Sequence, residues 1–147
     1  MPRTALALPA SISRITPEAS FVISVLTASR SWLILPVGGG VAEKVCEDCA
    51  GPWQWSPDGK TFLYRIPPDR KFGLVLFNLK TTKKTELLKH PNYAIDGAQF
   101  SPDNRWIALL AAEGSIFAVG GRLFVVRFQG EEELKESEWI AVTEGQP

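Results

Sequence analysis

Few residues in this 147-residue sequence have spacing that suggests chemistry. Cys46-Glu47-Asp48-Cys49 has the separation of half a zinc site or of a redox pair. A structural zinc site takes about four ligands, and the sequence offers one histidine, His90, and no second cysteine pair. A redox pair opens a helix in a βαβ setting, whereas this one ends a strand-like stretch and runs into Gly51-Pro52. Two structural readings remain for Cys46 and Cys49, an unbonded turn pair and a local disulfide. Asp58 and Asp103 would do acid-base work only if they converged on one pocket. Ser56 and Ser101 lack the Gly-x-Ser-x-Gly setting of a nucleophile elbow, and His90, just before Pro91, reads as a solvated loop residue. These residues predict no catalytic, cofactor-binding or metal site, and the chain is expected not to be an enzyme.

What Ser56, Asp58, Ser101 and Asp103 share is their place in a repeat. Trp55-Ser56-Pro57-Asp58-Gly59-Lys60 returns as Phe100-Ser101-Pro102-Asp103-Asn104-Arg105, and the two prolines are 45 residues apart. A weaker copy, Ile15-Thr16-Pro17-Glu18-Ala19-Ser20, lies 40 residues before the first. Pro pre-sets φ at the second turn position, Asp suits the next, and Gly or Asn tolerates the positive φ that follows. Each copy is therefore a hairpin corner built from Ser56, Pro57, Asp58 and Gly59, or from Ser101, Pro102, Asp103 and Asn104. Ala19 carries a Cβ into the same place, which costs about 1–2 kcal/mol in a left-handed conformation, so the first corner is expected to be looser.

Four strands flank each corner, separated by turn residues. The expected strands are Ile12 to Ile15, Phe21 to Leu26, Trp32 to Val37 and Ala42 to Cys46 in the first repeat. The second has Trp53 to Trp55, Thr61 to Arg65, Leu74 to Leu79 and Lys84 to Leu88. The third has Ala98 to Phe100, Trp106 to Ala111, Leu123 to Phe128 and Trp139 to Thr143. A period of about 40–45 residues is that of a four-stranded propeller blade. Continuous apolar runs such as Leu74-Val75-Leu76-Phe77 suit strands covered on both faces. The fold expected is all-β, three antiparallel meanders forming an incomplete β-propeller: an extension at 1–10 and blades at 11–50, 51–93 and 94–147. Trp53, Trp55 and Trp106 are assigned to the spaces between blades.

Sixteen basic and sixteen acidic side chains cancel, so no global field would hold a nucleic acid. The basic run Lys80, Lys83, Lys84 and Lys89 reads as a solvated outer strand and turn, offset by Glu131, Glu132 and Glu133. No apolar run reaches the roughly 18–20 residues that span a bilayer, so no membrane insertion is expected. The apolar patch Ala5 to Leu8 is shorter than the core of a signal peptide.

Trp55-Ser56-Pro57-Asp58-Gly59-Lys60, followed by a short apolar strand, resembles the WD-like repeat of TolB-type bacterial propellers. The resemblance covers residues 11 to 143 as three units. It implies a scaffold that presents loops to a protein or peptide partner, with no cofactor, and a periplasmic setting; the lack of a signal peptide leaves the cytoplasm open. Such repeats also occur in prolyl-oligopeptidase-like hydrolases and in sensor regions of kinases and regulators, so a detached propeller part of such a protein is the alternative. Three blades are fewer than the about four to eight that close a propeller, and open blade faces and edges make self-association an expectation.

Overall fold

The computed structural model describes residues 12–14, 20–25, 31–36, 40–47, 49, 52–66, 73–113 and 121–142. The strands are β1 (Ile12–Arg14), β2 (Ser20–Val25), β3 (Ser31–Pro36), β4 (Glu43–Cys46), β5 (Pro52–Trp55), β6 (Thr61–Arg65), β7 (Gly73–Asn78), β8 (Lys84–Lys89), β9 (Tyr93–Phe100), β10 (Trp106–Glu113), β11 (Arg122–Arg127) and β12 (Ile140–Ala141). Each consecutive group of four pairs antiparallel in chain order, giving three separate four-stranded sheets. They are three blades of a β-propeller, fewer than a closed propeller needs. The first corner, with Ala19, and the extension at 1–10 lie outside the described residues.

Period-two alternation decides which blade each side chain meets. In β6 and β7, Phe62, Tyr64, Val75 and Phe77 belong to a cluster with Trp32, Cys46 and Cys49 of the first blade. The intervening Leu63, Leu74 and Leu76 belong to a second cluster with Ile95, Ile107, Leu109 and Val126 of the third. Strand β7 is thus buried along nearly its whole length, which explains its unbroken apolar sequence. At its start the backbones approach so closely that a Cβ on Gly73 would lie 2.6 Å from the Leu88 carbonyl oxygen, which only glycine avoids.

Several strand ends shift by one or two residues, β10 running on to Glu113, and two strands depart further. β9 starts at Tyr93 rather than Ala98, because Asp96-Gly97 is accommodated in a bulge instead of ending the pairing. The register moves from Leu110 opposite Gly97 to Ala111 opposite Ile95, leaving Asp96 as the extra residue. Its carboxylate lies 4.0 Å from Arg65 of the second blade. β12 is shorter than Trp139 to Thr143, because a 3-10 turn at Glu136–Glu138 takes the Trp139 N–H onto the Glu136 carbonyl and delays pairing until Ile140.

The connection from β11 to β12 crosses back onto the second blade as a strap. The Lys83 ammonium pairs with Glu131, the Leu134 N–H donates to the Leu87 carbonyl at 2.7 Å, and Glu136 meets His90 at 3.0 Å. These three anchors run along β8, whose outer edge would otherwise be open to pairing. Leu134 is buried in the cluster between the second and third blades.

Candidate functional site

The two well-formed corners are closed by their own side chains. Ser56 Oγ accepts the Thr61 N–H at 3.0 Å and lies 2.6 Å from Asp58 Oδ1, which in turn accepts the Lys60 N–H at 3.1 Å. Ser101 and Asp103 repeat this: Trp106 N–H donates to Ser101 Oγ at 2.9 Å, and Arg105 N–H to Asp103 Oδ1 at 3.1 Å. Gly59 (φ 69°) and Asn104 (φ 59°) take the left-handed position that follows each Asp. Pro57 and Pro102 are exposed on the turn.

Burial pushes the Asp58 carboxyl up, but the Ser56 hydroxyl, the Lys60 N–H and the Lys60 charge outweigh it and hold the group below its ordinary value. The Ser101 hydroxyl, and then the Arg105 guanidinium and N–H, lower Asp103 to about 2. Each carboxylate is thus an ionised fastener of its own corner, and each belongs to a different sheet.

Cys46 and Cys49 are joined as a disulfide, with Cα atoms 6.1 Å apart, and both are buried beside Trp32 and Trp55. The lysines of the basic run are exposed; besides the Lys83 pair, Lys84 Nζ donates to the Glu47 carbonyl at 2.7 Å, tying the second blade to the first. Among the described residues no group of three or more His, Cys, Asp or Glu side chains could hold a metal ion. Trp55 is core, but Trp106 is not: it stands 36% exposed, on the side of β10 opposite Ile107 and Leu109, which pack on the second blade. The Trp53 side chain lies outside the described residues.

The sequence reading missed a cleft of ≈ 410 Å3 at the junction of the second and third blades. It forms where the chain leaves β8 and turns through His90-Pro91-Asn92 into β9, and where the strap climbs past the same point. His90 is no solvated loop residue but only 8% exposed. Its Nδ1 accepts the N–H of Asn92 at 3.1 Å and of Tyr93 at 2.9 Å, so Nε2 carries the hydrogen that faces Glu136 at 3.0 Å. The ring lies 4.7 Å from Tyr93 and 5.7 Å from Trp139, centre to centre, and Phe124 completes the group against Trp139 at 5.2 Å. The Tyr93 hydroxyl donates to Glu113 at 3.4 Å. Glu133, Glu136, Lys89 and Lys135 stand around the opening, above a floor of Leu88 and Leu134.

Both ring nitrogens of His90 are engaged by the scaffold, which leaves no lone pair to take a proton from a bound molecule. What the cleft offers is a rigid aromatic wall, an apolar floor and carboxylates at the rim. Concave surfaces with these features bind ligands through shape, stacking and hydrogen bonds. The only sequence signal for it was a lone Leu134 in an otherwise charged run, with His90 followed by a turn.

Fold and site together define an all-β propeller segment with a cleft between two of its blades. No family model matches the sequence. Over 74% of its length the chain is similar to the solved structure of a putative TolB from Agrobacterium tumefaciens, at 28% identity and a TM-score of 0.57, covering 39% of that protein. It is similar in fold to an acylaminoacyl peptidase of Pyrococcus horikoshii, at 18% identity and a TM-score of 0.58 over 90% of this chain and 25% of that one. The β-propeller domain of the Trilobed protease of Pyrococcus furiosus, described as having an open velcro topology, matches at 14% identity and a TM-score of 0.57 over 94% of this chain and 43% of that one. In sequence, 75 residues are 35% identical to an uncharacterized protein of Agrobacterium fabrum, half of this chain and 25% of that one. The chain spans about a quarter to two-fifths of the length of these relatives.

Proposed function

We propose that this chain is a TolB-like propeller segment that works without chemistry of its own, as a scaffold for a protein or peptide partner held at the cleft between the second and third blades. The observation that carries this reading is that both ring nitrogens of His90 bond to the scaffold, so the best-built cleft is organised for holding. The TolB-like assignment draws on the Ser-Pro-Asp corners and on the likeness to the putative TolB. A partner would stack on Tyr93 and present its N–H groups or cationic side chains to Glu113 and Glu133.

The alternative is that the chain is the propeller part of a larger enzyme or sensor, for which the likeness in fold to peptidase chains is the support. A random peptide library displayed on phage and selected against the full chain tests the main reading. Selected peptides, made synthetically, are expected to bind Tyr93→Ala at least about tenfold more weakly than wild type, as aromatic hot spots do, with the melting curve retained. Equal binding to both, or hydrolysis of peptides or esters by the purified chain, overturns it.

A further inference from the structure

Two carboxylates from different elements of the cleft are each held by the polar edge of a ring in its wall. Glu136, on the strap, accepts from Nε2 of His90 at 3.0 Å, and that ring is itself fixed by the Asn92 and Tyr93 N–H groups on its Nδ1. Glu113, at the end of β10, accepts from the Tyr93 hydroxyl at 3.4 Å. A carboxylate accepts at two oxygens, so both retain capacity for a donor that enters the cleft. Glu133 stands on the same lining, and these three carboxylates face two ammonium groups, Lys89 and Lys135. Lys89 in turn lies 4.0 Å from Glu86, outside the cleft. The lining is therefore net acidic on a chain whose sixteen basic and sixteen acidic side chains otherwise cancel.

We propose that the cleft takes the side chain of an arginine in the partner peptide. This rests on the reading of the cleft as the place where a peptide partner is held, and adds what that partner must carry. A guanidinium is planar and has five N–H donors, so it lies against a ring such as Tyr93 while bonding carboxylates from two elements at once. The compact ammonium of lysine matches that arrangement less well. The apolar stem of arginine suits the buried floor of Leu88 and Leu134. An acidic side chain would meet like charge here, and an apolar one would take water from the carboxylates without pairing them.

Peptides selected on the full chain from a random phage library, and then made synthetically, test this. They are expected to share one arginine. Its replacement by lysine is expected to weaken binding about tenfold, and by citrulline, which keeps the shape without the charge, about 100-fold. Glu113→Gln and Glu136→Gln keep an oxygen for Tyr93 and His90 but lose the charge. Each is expected to weaken an arginine peptide about tenfold with the melting curve retained. Glu43→Gln, the same change of charge on the exposed start of β4, is expected to leave the affinity as it is.

Peptides that lose affinity on Tyr93→Ala yet carry no arginine, or that bind as tightly with citrulline in its place, overturn the arginine assignment and leave the cleft as a peptide site. Peptides indifferent to Tyr93→Ala overturn both. Equal weakening by Glu43→Gln and the two cleft substitutions would show a general field in place of a pocket, and the assignment would fall.

Discussion

The two seams of this molecule are made from the same register positions of the same repeat, yet they are filled in opposite ways. Between the first and second blades the contact is aromatic. Phe62 stacks on Phe77 at 4.8 Å and meets Trp32 at 4.1 Å and Trp55 at 4.7 Å. Between the second and third blades it is mostly aliphatic, with Leu63, Leu74, Leu76, Ile107, Leu109 and Val126. Large rings remove more area from water per side chain and add about 0.5–1.5 kcal/mol per well-placed pair. They also bring polar edges: the indole N–H groups of Trp32 and Trp55 are buried with no hydrogen-bond partner among the described residues, a cost of about 1–3 kcal/mol each. The aliphatic seam has one such donor at its edge, the indole N–H of Trp139, and it is also held from outside by the strap, through Glu131, Leu134 and Glu136.

The comparison can be broken most directly at Phe62. Phe62→Ala is expected to lower stability by about 4 kcal/mol, since it empties a fully buried ring site, while Leu76→Ala on the other seam is expected to cost about 3 kcal/mol. Urea unfolding of both variants checks this, and equal or reversed losses would show that ring packing does not offset the orphaned donors. Next comes the strap. Leu134→Ala is expected to cost about 2–3 kcal/mol, close to a core leucine although it lies in a connection, whereas Lys83→Gln, which removes an exposed ion pair, is expected to cost under about 1 kcal/mol. If Leu134→Ala costs no more than Lys83→Gln, the strap is an ornament and the aliphatic seam stands alone.

The smallest expected effect concerns the corners. Asp103 titrates at about 2 in the folded chain against an ordinary 3.8. A carboxyl with a lowered folded value stabilises the fold above its unfolded value, and that contribution disappears as pH falls from about 4 to about 2. Melting temperature followed over that window is expected to fall less steeply for Asp103→Asn than for wild type. Parallel curves would mean that the Ser101 and Arg105 contacts do not persist in solution.

The repeat was legible because turn chemistry is local: Ser, Pro, Asp and Gly or Asn determine a corner within five residues, and alternation then places the neighbouring strands. That is why the second blade's β6, Thr61–Arg65, matches its expected bounds residue for residue. The length of β9 was not legible, because Asp96-Gly97 is a breaker by composition and a bulge only when Arg65 and β10 are beside it. The cleft was missed for a related reason. Glu131-Glu132-Glu133-Leu134-Lys135-Glu136 is charged enough to read as a solvated loop, and its partners Lys83, Leu87 and His90 are more than forty residues away. Trp106 was assigned to a seam by its residue type, but alternation puts it on the side of β10 opposite Ile107 and Leu109, which pack on the second blade.

The strap has a consequence for cooperativity. In a row of repeats that touch only their neighbours, stability behaves as a sum of unit and coupling terms, and opening starts where coupling is weakest. A segment of the third unit that is hydrogen-bonded to the last strand of the second makes those two open together, so that neither is a subdomain in its own right. The first unit lies outside that block, joined to it by rings, the Lys84–Glu47 bond and a short chain. Amide exchange should therefore divide the molecule unevenly, with one protected pair of blades and one blade that opens ahead of them.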